Sequence, residues 1–438
     1  MLDIITIHSD IEDGEKYYTE EENYYSEDEE IQAITKSQWF GNLAPDQPYS
    51  AELFTQLFYG ELPNGQRMRK EVMGDGVERV GYDLTFTLPG KSLSMQIHGP
   101  NGDKRLWHAH IEAVKEVMAI VEQRYAAARV QVAGDRQIVK TGNIAACLVN
   151  HHESRAGDPH VHTHVVLFNG TQCPDGEYRA LYKELLSQSG VLGDIYHQKL
   201  ALKVQALGYE IEETAEGFEL AGVTKEQIQH FSKRSTEIED YIKEQGWSNT
   251  PNSRRKAVIA TRLAKDKSLS LEQKQDRWSR EMQAVGFGGI IPADHPIAPK
   301  NQETPRELLD AAIGHLSERQ SSFDREDIQR FVFSHLRSFD EGPLNEEIDK
   351  HPDLLTAWDG RFTTQTAVDR DIRIIENWLK GNDSVAPLNP NADFSDTKLN
   401  SGQAEAMRRL LSSTDQFQIL KGLAGTGKTT AMAIAKEQ

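Results

Sequence analysis

The segment His160-Val161-His162-Thr163-His164-Val165-Val166-Leu167-Phe168 alternates in a way that suits a strand and not a helix. Side chains two apart on a strand share a face, so His160, His162 and His164 line one side and Val161, Thr163 and Val165 the other. The apolar run Ile144-Ala145-Ala146-Cys147-Leu148-Val149 reads as the strand before it, and Gly157-Asp158-Pro159 supplies the turn. The pattern predicts a two-stranded unit with His151 at the end of one strand, near the histidines of the next. Imidazole is the commonest side-chain metal ligand, and such a hairpin brings three of them to one ion. A structural tetrahedron is usually closed by cysteine or a fourth histidine, and only Cys147 lies near. An open three-histidine set suits Lewis-acid work on an oxygen ligand. A structural zinc site, or histidines that bind nothing, are the competing readings.

Two further features bear on chemistry. Lys16-Tyr17-Tyr18-Thr19-Glu20-Glu21-Glu22-Asn23-Tyr24-Tyr25 carries two tyrosine pairs seven residues apart. On a helix that spacing puts Tyr17 with Tyr24, and Tyr18 with Tyr25, on one face. An amphipathic helix burying aromatics accounts for one pair; two pairs among carboxylates are less easily explained that way. Tyrosine serves as a covalent nucleophile once a base or a polarised substrate activates it. Gly81-Tyr82-Asp83-Leu84-Thr85-Phe86-Thr87-Leu88 reads as a strand with Asp83 at its start. A carboxylate there is commonly a turn residue, but near a metal-bound histidine it fixes the tautomer or takes a proton.

Together these stretches resemble the MobF family of conjugative relaxases, the TrwC/TraI-like HUH endonucleases that nick plasmid DNA at its transfer origin. The resemblance rests on the tyrosine pairs, on Gly81 to Phe86, and on Asn150-His151 with Ser154-Arg155, Pro159 and His162-Thr163-His164. It continues weakly through Phe231 to Ser235 and His315 to Arg319. It implies a metal triad of His151, His162 and His164, with His152 and His160 as extra histidines. It implies Asp83 as activating carboxylate, Tyr17 as leading nucleophile beside Tyr18, and Tyr24 and Tyr25 in a second strand transfer. Lys91 and Arg155 are the implied DNA contacts. Where the family has Ala-Pro-Lys-Ser, this chain has Leu88-Pro89-Gly90-Lys91-Ser92, with an extra glycine. His152-Glu153 replaces the family's Asp/Glu-Thr after the first histidine. The implied chemistry is transesterification at a phosphodiester, leaving a 5′-phosphotyrosyl strand and a 3′-OH. Mg²⁺ or Mn²⁺ is the expected ion, although imidazole also suits Zn²⁺, Ni²⁺ or Cu²⁺ in vitro. The implied partners are single-stranded transfer-origin DNA, relaxosome accessory proteins and a type IV secretion coupling protein. A rolling-circle replication initiator with the same chemistry is the runner-up, and a non-catalytic DNA-binding remnant is a third reading.

A formal charge of -19 runs against DNA binding, but the acid is concentrated. Twelve Asp or Glu and one basic residue, Lys16, fall in the first thirty positions, leaving -8 for the remainder. Arg67 to Lys70, Lys104-Arg105 and Arg254 to Lys256 are local basic clusters, and a DNA channel needs local potential and not a basic total. No signal-peptide pattern and no apolar run of membrane-spanning length occurs, and two cysteines give no disulfide framework, so a cytoplasmic location without membrane insertion is expected.

The expected fold class is α+β: an antiparallel, palm-like relaxase sheet with packed helices over 1–295. A small helical or winged-helix-like region over 300–380 and a P-loop fragment over 396–438 follow. Strands are expected at 81–88, 95–98, 144–150 and 161–168, and helices over Leu106 to Tyr125 and Leu181 to Leu207. Glycines and prolines make 288–305 read as a linker, as does 381–393. Gly422-Leu423-Ala424-Gly425-Thr426-Gly427-Lys428-Thr429-Thr430 matches the P-loop, with Phe417 to Leu420 as its strand and Ala431 to Lys436 as its helix. Gln403 resembles the adenine-contacting glutamine of superfamily 1 helicases. The chain stops eight residues after Thr430, before any acidic Walker B strand. ATP and Mg²⁺ are therefore expected only in a longer parent, neither ATPase nor helicase activity in this chain, and poor order from Asp396 onward.

Overall fold

The alternating stretches come together as one antiparallel sheet. The structure, a computed structural model, describes residues 2–8, 18–19, 36–68, 78–132, 134–182, 188–214, 217–261, 269–298, 304–335, 341–423 and 425–438. In chain order the first elements are β1 (Leu2–His8), β2 (Gln38–Phe40), α1 (Ala51–Phe58), β3 (Arg79–Thr87), α2 (Ser92–His98) and α3 (Arg105–Ile120). There follow β4 (Ala127–Val132), β5 (Asp135–Lys140), β6 (Ala146–Glu153), β7 (Pro159–Phe168), β8 (Thr171–Gln172), β9 (Tyr178–Arg179) and α4 (Ser189–Ala206). The hairpin β10 (Ile211–Thr214) and β11 (Gly217–Leu220) precedes α5 (Lys225–His230), α6 (Lys233–Glu244), α7 (Pro251–Ala260) and α8 (Leu271–Ala284). The sheet order is β1-β3-β7-β6-β2, with every neighbour antiparallel.

Register decides what shares a face. His151 pairs with His162, Val149 with His164, Thr85 with His164 and Thr87 with His162, so these side chains stand on one side. That side is closed over its apolar end by α1, whose Phe54, Leu57 and Phe58 join Val149, Val166 and Phe168 in one cluster. On the opposite side, α3 and α4 meet the sheet: Tyr196 packs edge-on to Phe86, and His110 reaches Thr163 at 2.8 Å. The expected helix over Leu106 to Tyr125 is α3, continued by one π-type turn, Val121–Tyr125.

Residues 95–98 are helical, not a strand. Met95-Gln96-Ile97-His98 alternates in polarity, yet all of α2 is buried, so its polar members face protein groups instead of water. Gln96, for example, accepts from the Ile290 amide at 2.7 Å and donates to the Ile290 carbonyl at 3.1 Å. Residues 290–297 have no helix or strand, but they are tied down: Ala293 donates to the Gly208 carbonyl at 2.8 Å and Ile297 to that of Gln205 at 2.9 Å.

Two compact units divide the chain, Met1–Ala312 with Glu326–Glu347, and Ile313–Arg325 with Ile348–Gln438. The helices α9 (Pro305–Arg319), α10 (Arg325–His335) and α11 (Glu341–Lys350) are shared between them. The second unit holds the hairpin β12 (Leu354–Thr356) and β13 (Phe362–Thr364), then α12 (Gln365–Lys380), α13 (Ser401–Ser412) and α14 (Lys428–Ala435). From Asp396 onward the expected loss of order meets two helices with a small core: Met407 and Leu411 pack with Ala431, Ala435 and Phe394. The strand expected at Phe417 to Leu420 is absent. Phe417 and Ile419 are 48% and 76% exposed, and a P-loop strand needs neighbours on both edges that no described residue provides. No helix among the described residues is long and apolar enough to cross a membrane.

Candidate metal centre and active site

One ring nitrogen from each of His151, His162 and His164 lies within 4.8 Å of the others, the one such cluster of metal-ligand type among the described residues. The three imidazoles meet edge to face, with centroids 4.8 to 5.3 Å apart. Each has a fixed orientation. His162 Nδ1 donates to the backbone oxygen of His160 at 2.9 Å, which turns Nε2 toward His151 Nδ1 at 3.2 Å. His164 Nδ1 donates to both Asp83 oxygens at 2.8 and 2.9 Å, so Nε2 is the atom that could coordinate an ion. Burial, reinforced by His151, His160 and His164, holds His162 well below the ordinary histidine range. A neutral imidazole is the form that coordinates a metal, so the donor set fits a divalent ion.

Asp83 is 2% exposed and is shared. Besides His164 it accepts from the Tyr18 hydroxyl at 2.9 Å and from Thr85 Oγ1 at 3.3 Å. Tyr18 is buried, tilted against Phe54 and edge-on to His164 at 6.0 Å between centroids. One carboxylate thus joins a histidine of the candidate metal set to a tyrosine of the first pair. Tyr17, Tyr24 and Tyr25 lie outside the described residues. Thr85 was not singled out by the sequence, although it sits two residues after Asp83 and so on the same face of β3.

His152 points away from the three-histidine set, at an irregularity of the β6–β7 register. It stacks on Trp107 at 4.6 Å and meets His98 at 3.3 Å. Burial pushes His98 down to about 3, as it does His110. His160 stands on the metal face, one step outward; burial, then Lys91, holds it well below its usual range. Lys91 Nζ lies 3.4 Å from His160 Nδ1. Burial also lowers the Lys91 ammonium, with Asp158 and Glu219 pulling the other way.

The turn between β6 and β7 carries Arg155, half-buried. The turn itself is gripped by α8: the Gly157 carbonyl accepts from Trp278 Nε1 and an Arg277 guanidinium nitrogen, each at 2.8 Å. Lys274 reaches Glu153 at 2.6 Å, with both side chains almost fully buried, and the Lys233 amide donates to Asp158 at 2.8 Å. None of these clamps was visible in the sequence, because their partners lie 75 to 121 residues away.

The family model described as TrwC relaxase matches residues 11–285. The chain belongs to the TrwC relaxase family. It is 32% identical over 341 residues to the "Multifunctional conjugation protein TraI" of Escherichia coli, covering 71% of this chain and 18% of that protein. The chain thus spans less than a fifth of that relative's length. Among solved structures, the conjugative relaxase TrwC in complex with OriT DNA is similar in a metal-free form, with TM-score 0.58 and 29% identity, covering 66% of this chain and 99% of that one. Its metal-bound form has TM-score 0.58 and 30% identity over 65% and 99% of the two chains. A copper-bound form has TM-score 0.60 and 28% identity over the same shares. An AAA domain model matches residues 398–438.

In that segment Gly425 and Gly427 have φ of 78° and 74°, the left-handed region that glycine tolerates. Lys428 Nζ donates to the carbonyls of Gly422 and Leu423 at 2.8 Å, and Thr429 and Thr430 open α14. Gln403 caps α13 through the Asn400 amide and donates to the Thr426 carbonyl at 3.0 Å, so it has a structural task within the loop.

Proposed function

We propose that this chain nicks and rejoins one DNA strand at a plasmid transfer origin by tyrosine transesterification. The observation that carries the reading is the shared carboxylate: Asp83 holds a ligand histidine and a tyrosine hydroxyl together beside the His151, His162 and His164 set. The likeness to TrwC bound to OriT DNA supports the substrate. A divalent ion held by the three histidines supplies charge neutralisation at the phosphate oxygens. Mg²⁺ or Mn²⁺ is the proposed ion.

The chain's own groups do the rest. Asp83 keeps His164 in one tautomer and accepts the tyrosine proton. The tyrosine oxygen bonds to phosphorus in line, the bond to the 3′ oxygen breaks, and that oxygen takes the proton. The 5′ side stays on the protein as a phosphotyrosine; the reverse reaction rejoins the strand. The resemblance gives the first attack to Tyr17. The Tyr18 contact with Asp83 favours a second reading in which Tyr18 attacks. Tyr24 and Tyr25 are assigned to the second transfer, and Lys91 and Arg155 to the DNA backbone.

The proposal takes residues 1–295 as the nickase, 300–380 as a small helical or winged-helix-like region and 396–438 as the front of a helicase. There Gln403, Gly422, Gly425, Gly427, Lys428, Thr429 and Thr430 would serve ATP and Mg²⁺ in a longer protein. Relaxosome accessory proteins, a coupling protein and a cytoplasmic setting complete the reading.

The test is an SDS-stable adduct with transfer-origin oligonucleotides in Mg²⁺ or Mn²⁺. Loss of the adduct in Tyr17→Phe and with chelator supports the first reading. Loss in Tyr18→Phe alone moves the attack to Tyr18. Binding without any adduct rejects nicking.

A further inference from the structure

We infer that Glu219 is a positioning residue for Lys91, fixing the 89–92 turn so that the lysine meets a backbone phosphate of the bound strand. This rests on the nicking reading. Glu219 lies on β11, 128 residues from Lys91, in a hairpin that carries no recognised motif. Its two carboxylate oxygens each accept from the Lys91 amide at 3.0 Å, and Oε2 also accepts from the Ser92 amide at 2.8 Å and from Ser92 Oγ. Ser92 Oγ in turn accepts from the Leu220 amide at 2.7 Å. The turn is thus bolted to the hairpin on three backbone amides.

Gly90, the residue extra to the family pattern, is what admits the carboxylate. Its φ is +72°, and a Cβ there would stand 2.4 Å from Glu219 Cδ and Oε2. Two separate constraints, backbone and space, restrict the position to glycine. The result at the far end of the side chain is that Lys91 Nζ stands 3.4 Å from His160, whose ring lies 5.0 Å from that of the ligand His162. An ammonium at that place is one step along the metal face from the ion site. The lysine faces His160, Asp158 and Glu219, and a phosphate is the group that completes its pairing. An anion such as Glu219 beside a DNA path is unfavourable by charge alone, so its gain must come through geometry.

That contrast makes the test sharp. The salt dependence of binding would be measured with a labelled single-stranded transfer-origin oligonucleotide, uncleaved in chelator. Each phosphate paired on a single strand contributes ~0.7 to the slope of log K against log salt. Lys91→Met should reduce the slope by that amount. Glu219→Ala should reduce it equally, although the substitution removes a negative charge, and should add nothing in the Lys91→Met background. Gly90→Ala, which keeps the charge but displaces the carboxylate, should do the same. If Glu219→Ala binds more tightly, or leaves the slope unchanged while retaining Mn²⁺ binding, the inference is wrong. Where Glu219→Ala loses Mn²⁺ binding it has lost the fold, and Gly90→Ala, which keeps Glu219 but displaces its carboxylate, then decides by the same slope. A Lys91-dependent slope without any tyrosyl adduct rejects nicking and leaves the role of Glu219 standing. An adduct with no slope change in Lys91→Met does the reverse.

Discussion

Replacing Asp83 should weaken metal binding in two steps. In Asp83→Asn the amide oxygen, in the place of Oδ1, can still accept from His164 Nδ1 at 2.9 Å, and the amide nitrogen, in the place of Oδ2, can donate to Tyr18 Oη. What is lost is charge. A hydrogen bond to a charged group contributes about 1.5–3 kcal/mol against about 0.5–1.5 for a neutral one, so the difference is ~1 to 1.5 kcal/mol. That is roughly a tenfold loss in Mn²⁺ affinity, the lower end of the tenfold to hundredfold range for groups that orient a metal-binding histidine. Asp83→Ala removes the acceptor altogether from a site 2% exposed, releases the His164 tautomer, and should lie near the upper end, roughly a hundredfold. Isothermal titration of metal-stripped protein with Mn²⁺ measures both, with His162→Ala as the variant that binds nothing. If Asp83→Ala binds Mn²⁺ as the parent does while His162→Ala fails, Asp83 does not serve the ion through His164.

Two stability predictions follow from burial. Glu153→Gln leaves the Lys274 ammonium, 3% exposed, without its charged partner, and should destabilise the fold by about 3–5 kcal/mol in urea titrations. Replacing both residues by methionine should recover most of that, and a double variant as unstable as the single one would contradict the account. His98 and His110 are held at about 3, below their unfolded value near 6.5, so both are buried neutral. Their contribution is complete above about pH 6.5 and is lost as the pH falls toward 3. Each should account for roughly 2 kcal/mol between pH 6.5 and 5, and a urea midpoint that does not move over that interval would refute neutral burial.

The parts legible in the sequence were those with a local period. The hairpin β6–β7 and its histidine face follow from alternation, and the helix at Leu106 from its three-to-four spacing. Alternation misled at Met95 to His98, where four residues are too few to distinguish a strand from a buried helix. The Phe417 to Leu420 stretch has strand-like residues but no paired neighbour among the described residues, and propensity without pairing does not make a strand. The site's supports were illegible for a different reason. Lys274 and Glu153 are 121 residues apart, and Glu219 and Lys91 128. No spacing rule joins such pairs; only the sheet order and helix packing do.

The alternating histidines pose a problem of degeneracy that the helix side of the sheet resolves. Sliding β7 by two residues against β6 would keep every histidine on the same face, with His160 or His164 opposite His151 in place of His162. The metal face alone therefore does not select a unique triad. On the opposite face the residues are Val161, Thr163, Val165 and Leu167, and only Thr163 is polar. Its hydroxyl donates to Asn150 at 2.8 Å and lies 2.8 Å from His110 Nε2, whose other nitrogen meets Tyr196 at 2.7 Å. A slip of two would offer this buried chain a valine, leaving its polar groups unmet at about 1–3 kcal/mol each. Which histidine stands opposite His151 is thus fixed in part by a threonine, an asparagine and two helices on the other side of the sheet.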